Sequence, residues 1–269
     1  MIIRIDDPDD PRLAAYRQVR ERDLIGREGR FVAEGQVVVR VLLTQARHRA
    51  ESLLIAAPRM EGLSGLLAEA PDDLPVYVAG QAVMDAVVGF HIHRGVLAVG
   101  LRAPARPAAE VLGELSGDAL VVALFGVANH DNLGGVLRNA AAFGADAVIL
   151  DSDCCDPFYR KAIRVSVGAA LIARLGHLAA GEDPLALLEG AGFTPIAFSP
   201  GADQPLSRLK RPGRAALLLG AEGPGLPKAI LERCARVSIP MHPGWDSLNL
   251  ATASGVALHH LARAAARGG

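Results

Sequence analysis

The sequence predicts an α/β protein with a mostly parallel sheet in its C-terminal part and a smaller α/β domain before it. Of the 269 residues, 51% are hydrophobic and 21% charged. This composition supplies a sizeable core and excludes a disordered chain or a disulfide-stapled miniprotein. From about residue 118 onward, short apolar runs alternate with helical stretches, and such alternation is typical of parallel sheets.

The apolar runs give the positions of the predicted strands. We expect buried strands at 52–57, 76–79, 120–125, 147–150, 194–198, 215–219 and 236–239. The last helix is the clearest, because apolar or small residues recur there at spacings of three and four and form one stripe. Its members are Leu248, Ala251, Gly255, Leu258 and Ala262.

A change of composition predicts the domain boundary. Residues 101–117 contain two prolines and little alternation, which indicates a linker that leads into a short helix. The predicted division is therefore an N-terminal domain at 1–100, the linker at 101–117 and a C-terminal domain at 118–269.

The charge balance limits the possible partners. The 28 basic and 29 acidic side chains nearly cancel, so a nucleic-acid partner needs a local basic patch. Residues 11–50 are such a region, with nine arginines against four acidic residues. Two interpretations stay open for them: a helix with an exposed charged face, or a surface that contacts phosphates on a separate substrate domain.

The cysteines and histidines predict no metal site. The three cysteines are odd in number and lack metal-ligand spacing, so we expect free thiols in a reducing cytoplasm. These cysteines are Cys154, Cys155 and Cys234. His91 and His93 alternate on a predicted strand, and His259 and His260 are adjacent on a helix and face different directions, so we expect no metal site at either pair. The start of the chain lacks a secretory signal and no run is long enough for a membrane helix, which predicts a soluble protein.

The first of three polar, glycine-bearing segments follows the strand at 120–125. Asn132 is predicted to cap a helix, because an apolar helical stripe begins directly after it. Gly134 and Gly135 lower the helix propensity of the first turn, a cost tolerated when something must approach the backbone. Arg138 projects from the second turn. The plainer alternative is a capped helix with a surface arginine.

The second segment is LLLGAEGPGLP, at 217–227. A buried strand ends at Gly220, Gly223 and Gly225 follow, and Glu222 stands within the loop. Such a loop leaves backbone donors and acceptors open to a ligand. It matches neither the GxGxxG fingerprint nor a phosphate-binding P-loop, which weighs against NAD enzymes and NTPases.

The third segment runs from 238 to 261. A strand ends near Pro240, a loop with proline and glycine follows, and Ser247 is predicted to cap the final helix. Ser247 and Asn249 flank Leu248, so a hydroxyl and an amide reach into one loop region. The plainer alternative for Ser247 is a cap with no further role.

Together, the asparagine-NLG-arginine segment, the LGAEGPGL loop and the IPM…SLN helix start resemble the three signature motifs of the SpoU-type RNA ribose 2′-O-methyltransferases of the SPOUT superfamily. The resemblance extends from residue 120 to the C-terminus, with 156–169 as a supporting match. Residues 26–43 resemble the substrate-binding domain that often precedes the catalytic one. His130, Asp131 and Asn139 depart from the commoner residues, and we expect none of them to abolish catalysis.

The resemblance implies a deep trefoil knot that binds S-adenosylmethionine, and a homodimer in which the catalytic arginine reaches the partner's cofactor site. It implies Arg138 as the central catalytic residue, Asn132 as the residue that positions either Arg138 or the ribose, and Glu222, Ser247 and Asn249 as the rest of the polar pocket. The implied cofactor-binding residues are Leu218, Gly220, Glu222, Gly225, Ile239, Met241, Leu248 and Asn249. The implied RNA-binding residues are Arg27, Arg30 and Arg138.

Two functional hypotheses follow. The first is S-adenosylmethionine-dependent methylation of a ribose 2′-hydroxyl of rRNA or tRNA, with rRNA favoured because shorter tRNA-modifying relatives often lack an added N-terminal domain. The second is a non-catalytic RNA-binding or ribosome-assembly factor on the same fold. All five polar pocket residues are retained, which favours the enzyme. A nucleotide-dependent oxidoreductase is disfavoured because GxGxxG and its acidic ribose partner are absent.

Overall fold

The computed structural model describes residues 1–17, 29–89 and 91–262. They form two compact units. The N-terminal unit comprises Met1–Pro104 and Pro157–Ile172, and the C-terminal unit comprises Ala105–Asp156 and the chain from Ala173 onward. The segment 157–172, which the sequence assigned to the C-terminal domain, thus belongs to the N-terminal unit.

The strands of the described residues are, in chain order, β1 (Ile2–Ile5), β2 (Arg30–Glu34), β3 (Arg49–Ala56), β4 (Val76–Ala79), β5 (Val96–Leu101), β6 (Ala119–Phe125), β7 (Ala147–Leu150), β8 (Leu175–His177), β9 (Thr194–Phe198), β10 (Gln204–Pro205), β11 (Arg214–Gly220) and β12 (Ala235–Ser238). The α-helices are α1 (Gln36–Thr44), α2 (Ser64–Leu67), α3 (Gln81–Val88), α4 (Ala108–Gly113), α5 (His130–Ala142), α6 (Arg160–Val165), α7 (Ala169–Ile172), α8 (Pro184–Gly190), α9 (Lys228–Leu231) and α10 (Leu250–Leu261). Short 3-10 helices lie at Pro11–Tyr16, Ala57–Arg59, Glu61–Leu63 and Leu206–Arg208.

The N-terminal unit is built on a five-stranded mixed sheet of order β1-β4-β3-β5-β2. Strands β1, β4 and β3 are parallel, while β5 runs antiparallel to both of its neighbours. Phe158, from the returning segment 157–172, packs against Phe31 of β2 with ring centroids 5.6 Å apart. Arg160 forms an ion pair with the buried Glu34 at 3.1 Å. Aromatic packing and a charge pair therefore hold this segment in the unit.

The C-terminal unit contains a seven-stranded sheet of order β10-β12-β9-β11-β6-β7-β8, parallel throughout. Strand β6, next to the central strand β11, is buried along its whole length, as a parallel strand covered on both faces should be. Gly220 at the end of β11 pairs in register with Phe125 at the end of β6. The two motif-bearing loops therefore leave the sheet at one edge, where ligands bind in open parallel sheets. The trefoil knot remains a prediction that rests on the family resemblance.

Helices α5 and α10 pack against each other at close range. A Cβ on Gly135 of α5 would lie 2.4 Å from the Cβ of Ala251 in α10. Asn139 Nδ2 donates to the Ala251 carbonyl at 2.6 Å and to Ser254 Oγ at 2.9 Å. Gly135 therefore permits the close approach of α10 to the backbone of α5.

The predicted strands match β3, β4, β6, β7, β9, β11 and β12 to within a few residues at their ends. The prediction missed β1, β2, β5, β8 and β10. It also placed His91 and His93 on a strand, whereas they lie in the segment before β5. In the part of the chain that the structure describes, no helix has the length and apolar character to cross a membrane.

Candidate active site

A cavity of about 560 Å³ opens at the carboxyl edge of the C-terminal sheet. It is lined by loops that follow three neighbouring parallel strands, β9, β11 and β12, and by the start of α10. The lining residues fall at 198–200, 219–226, 231, 239, 241, 247–250 and 253. Two of the three sequence motifs, distant along the chain, therefore form one concave site.

The loop after β11 forms one wall of the cavity and folds back tightly on its own strand. The Gly225 N–H donates to the Ala221 carbonyl at 3.0 Å. A Cβ on Gly220 would lie 2.2 Å from the carbonyl carbon of Gly225, so no larger residue fits without moving the loop. Gly223 and Gly225 have φ values of +86° and +70°, which favour glycine because other residues are strained there.

The three motifs meet in a hydrogen-bonded network of three side chains. Asn132 Nδ2 donates to Glu222 Oε1 in a short contact. Asn249 Nδ2 donates to Asn132 Oδ1 at 2.8 Å and lies 3.4 Å from Glu222 Oε1. Asn132 is buried, whereas Glu222 and Asn249 are exposed at the cavity. This network fixes the position of the Glu222 carboxylate at the mouth of the site.

The predicted helix caps are wrong in both cases. Asn129 caps α5, with its side chain accepting from Asp131 N at 2.8 Å. Asn132 instead lies in the first turn, where its side chain reaches Glu222. Asn249 caps α10 by accepting from the N–H groups of Ala251 and Thr252, and Ser247 lies two residues before it. Asn249 therefore both caps the helix and donates into the network.

Seven of the eight residues expected to bind the cofactor line the cavity: Gly220, Glu222, Gly225, Ile239, Met241, Leu248 and Asn249. The eighth, Leu218, lies in the hydrophobic core and is absent from the lining, where Leu219 stands instead. Sequence reasoning also missed the wall at 198–200, after β9. The position of β9 beside β11 supplies a signal for it, because ligands bind beyond the carboxyl ends of parallel strands.

Arg138 is exposed and is not among the residues that line the cavity. It follows Asn132 by six positions on α5, which at 3.6 residues per turn places it on a different face of the helix. No hydrogen bond or ion pair of Arg138 is found within the described residues. A single chain therefore gathers Asn132, Glu222, Ser247 and Asn249 at the site and leaves Arg138 outside it.

Of the arginines expected to bind RNA in the N-terminal domain, Arg30 is already paired. Its guanidinium donates to both carboxylate oxygens of Glu51, at 2.7 and 2.6 Å. Arg27 lies outside the described residues. Three further arginines of the basic region, 12, 17 and 40, pair with Asp10, Asp9 and Glu69. Arg47 and Arg49 are exposed, and no ion pair of theirs occurs in the described ranges.

The cysteines are not suited to act as nucleophiles. Burial, with the neighbouring Asp151, raises the pKa of Cys154 to about 12, and burial raises the pKa of Cys155 to about 11. Because the thiolate is the reactive form, both side chains are inert at neutral pH. Cys234 is likewise unpaired, and burial raises its pKa. Within the described ranges, no three His, Cys, Asp or Glu side chains come close enough to hold a metal ion.

The sequence profile of the SpoU rRNA methylase family matches residues 119–259. The chain belongs to this family. A Mycobacterium tuberculosis relative described as an uncharacterized tRNA/rRNA methyltransferase is 39% identical to this SpoU family member over 272 residues, covering 96% of this chain and 90% of the relative. The matched motifs are those that surround the cavity, so the resemblance inferred from the sequence is confirmed.

Two further comparisons bear on the N-terminal unit and the fold of this SpoU family member. The 23S rRNA (guanosine-2′-O-)-methyltransferase RlmB of Salmonella typhimurium is 29% identical over 84% of this chain and 95% of its own length. The AdoMet-bound rRNA methyltransferase of Sinorhizobium meliloti superimposes with a TM-score of 0.80, at 22% identity and 97% coverage of both chains. The predicted α/β fold with mostly parallel strands is confirmed.

Proposed function

We propose that this SpoU family protein transfers the methyl group of S-adenosylmethionine to a ribose 2′-hydroxyl of RNA, with rRNA favoured over tRNA. The observation that carries the proposal is the meeting of Asn132, Glu222 and Asn249 at one glycine-walled cavity. The relatives whose names state an activity are rRNA or tRNA methyltransferases, and one named relative methylates the guanosine 2′-oxygen of 23S rRNA.

The cavity fits S-adenosylmethionine in size and chemistry. Its volume of about 560 Å³ lies in the range of small-molecule sites. Among the described residues no lysine or arginine lines it, which disfavours a phosphate-bearing cofactor. Leu219, Leu226 and Ile239 supply apolar contact area, the backbone of the 220–225 loop supplies hydrogen bonds, and the Glu222 carboxylate suits the cationic end of the cofactor. When bound, this cofactor supplies an electrophilic methyl group on a sulfonium.

The ribose 2′-hydroxyl is a very weak acid, so the protein must orient it and stabilise the developing negative charge on oxygen. Arg138 is suited to this task as a permanent cation whose planar fork also holds the adjacent phosphate. The proton passes to water or to an RNA phosphate oxygen, because a neutral guanidine is too costly to serve as base. Asn132 and Asn249 position Glu222, and Ser247 adds a hydroxyl to the same wall.

Arg138 completes the site from a second copy of the chain. In one chain it is exposed and outside the cavity, so a homodimer in which it reaches the partner's cavity reconciles its role with its position. The exposed Val256 of α10 offers apolar area for such an interface.

Four measurements test the proposal. Calorimetry should detect S-adenosylmethionine binding, and mapping of 2′-O-methylated riboses in RNA from a strain lacking the protein should reveal one missing methyl group. Mixing an Arg138→Ala subunit with a Glu222→Ala subunit should restore activity to about one site in each mixed dimer, because each site needs one residue from each copy. A monomer in light scattering, or mixed subunits without activity, would refute the shared site.

The alternative is an RNA-binding factor that does not turn over. That reading requires cofactor binding or methyl transfer to be absent while RNA still binds. RNA binding without any missing methyl group in the mapped RNA would therefore replace the enzymatic proposal.

A further inference from the structure

A second hollow, of about 640 Å³, lies beside the cofactor cavity in the C-terminal unit. Its walls come from residues 200–203 after β9 with Pro205 of β10, and from residues 238–241 and 245–246 at and after the end of β12. Pro200, Ile239 and Met241 line both the hollow and the cavity. A group held in the hollow therefore lies next to the site where the methyl group is carried.

The loop after β12 presents the only tryptophan of the sequence at this hollow. The backbone N–H of Trp245 donates to the His242 carbonyl at 3.2 Å, and this hydrogen bond closes a four-residue turn. Pro243 and Gly244 occupy its centre, and Gly244 has a φ of +93°, the pattern of a type II turn. The turn leaves the Trp245 side chain 74% exposed, although an indole is among the costliest side chains to leave in water.

Hydrogen bonds anchor the segment after β9 to the end of β12, so these two walls of the hollow are held in place. Ser238 is buried and donates its hydroxyl to the Ala202 carbonyl at 2.8 Å, which ties the end of β12 to the 200–205 loop. The Ser199 N–H donates to the Val237 carbonyl at 3.0 Å. These bonds hold the two walls together.

The ionisable side chains that line the hollow are carboxylates. Asp203 lines one wall and Asp246 the other, and no lysine or arginine of the described residues lines either. Such a hollow repels a phosphate and accepts a group rich in hydrogen-bond donors. A flat ring that stacks on indole and donates to carboxylate satisfies both requirements.

Among the RNA bases, guanine meets this description. Its N1–H and N2–H₂ donors are adjacent and match the two oxygens of one carboxylate, whereas none of the other three bases presents two adjacent donors on that edge. RNA-binding proteins read unstacked bases in this way, by aromatic stacking and hydrogen bonds to the base edge.

We propose that the hollow binds the guanine base of the nucleotide whose ribose is methylated, stacked on Trp245 and read by Asp203 or Asp246. The inference rests on the proposed function and names its target nucleotide. Trp245 is a specificity-determining residue for the target, and it takes no part in holding the cofactor.

A single tryptophan permits a direct binding measurement. Protein labelled with 5-fluorotryptophan gives one ¹⁹F resonance, which is followed while GMP or IMP is added in the presence of saturating S-adenosylhomocysteine. GMP should shift the resonance saturably, and IMP should bind roughly tenfold more weakly because it lacks the 2-amino donor and leaves a carboxylate oxygen unpaired. The double variant D203N/D246N should lose this preference.

Three results of this titration would overturn the assignment: no shift with any nucleotide, equal binding of GMP and IMP, or a shift produced by protein concentration alone. The last would indicate that a second copy of the chain covers Trp245.

Activity assays provide a second test, because they distinguish an effect on RNA binding from an effect on cofactor binding. With RNA from the strain lacking the protein, Trp245→Ala should raise KM by roughly tenfold or more through the lost stacking, and its affinity for S-adenosylmethionine should be unchanged. Trp245→Phe should recover most of the loss. Glu189→Ala, at an exposed residue of α8 that lines neither the cavity nor the hollow, is the control and should change nothing.

The mapped ribose should belong to a guanosine, and methylation of another nucleoside would overturn the inference while leaving the proposed function intact. If wild-type protein transfers no methyl group to any RNA, the proposed function fails. The fluorine titration then still decides whether the hollow binds guanine.

Discussion

The side-chain amide of Asn249 donates to Oδ1 of Asn132 at 2.8 Å, across 117 positions of the chain. The same Asn249 caps α10 through its side-chain oxygen, which accepts from the N–H groups of Ala251 and Thr252. One residue therefore uses its oxygen to begin a helix and its nitrogen to position a pocket residue. The two roles are chemically separable.

Replacing Asn249 by serine or alanine separates the cap from the donor. Serine is also a good cap, so Asn249→Ser should be about 1 kcal/mol more stable than Asn249→Ala. Alanine has no donor, and the serine hydroxyl lies one bond closer to the backbone than the asparagine Nδ2 and should not reach Asn132. Both variants should therefore lose kcat/KM by about tenfold, the worth of one good hydrogen bond. Urea unfolding and methyl-transfer kinetics measure the two effects. Wild-type activity in Asn249→Ser would show that the hydrogen bond to Asn132 is not needed for catalysis. Equal stability of Asn249→Ser and Asn249→Ala would show that the side chain at 249 does not stabilise the start of α10.

Gly135→Ala should destabilise the C-terminal unit, although the same change in an ordinary helix interior stabilises by about 1 kcal/mol. The new Cβ would lie 2.4 Å from the Ala251 Cβ, and overpacking of this kind costs about 1–3 kcal/mol. The double variant G135A/A251G should recover most of the loss in thermal or urea unfolding. Gly190→Ala, where a Cβ meets nothing within 4 Å, is the control and should be nearly neutral.

Gly220→Ala should reduce the affinity for S-adenosylmethionine. The added Cβ would overlap the backbone of Gly225 and Leu226, at 2.2 and 2.3 Å, so the 221–226 wall must move. Backbone cannot yield as a flexible side chain does, and we expect an affinity loss of at least about tenfold by calorimetry. Gly113→Ala, with open space around its Cβ, should bind the cofactor normally. An unchanged affinity in Gly220→Ala would exclude this wall from the cofactor site.

The strands near the centre of the C-terminal sheet could be predicted because their residues are almost all apolar. β6 is a continuous apolar run and β11 contains one at 215–219, as expected of parallel strands covered on both faces. β2 has only three apolar residues, between the charged Arg30 and Glu34, and β8 has three residues that include Gly176 and His177, so neither shows a clear period or a long apolar run. Local pattern was therefore sufficient at the centre of the sheets and insufficient elsewhere.

The site residues were recognisable by their motifs, but their local roles were not. Asn129 and Asn132 are the same residue type three positions apart, and both suit a helix cap. The choice between them depends on Glu222, ninety positions after Asn132, which engages the second amide. Likewise, no local signal indicates that Phe158 packs on Phe31 in the N-terminal unit. Contacts between distant parts of the chain determine both outcomes.

The low pKa of His48 predicts how the stability of the N-terminal unit depends on pH. Burial, with the nearby Arg102, lowers the pKa of His48 to about 4. The Ala103 N–H donates to His48 Nδ1 at 3.0 Å, and the ring lies edge-on to Phe158 at 4.8 Å. Protonation at Nδ1 would break that hydrogen bond and place a charge among aromatic rings, so the folded unit retains the neutral imidazole.

The sign of the effect follows from proton binding. Between pH 6.5 and about 4, the unfolded chain binds a proton at His48 that the folded protein does not, so stability is full above pH 6.5 and falls as the pH drops through this window. Because the ring is only partly buried, we expect a loss of about 1–2 kcal/mol after allowance for solvent screening. Urea unfolding at pH 7.5 and pH 5 measures it. Other groups also titrate, so the test is the difference from His48→Phe, in which this part of the pH dependence should vanish. An identical pH dependence in the variant would show that His48 does not titrate with unfolding.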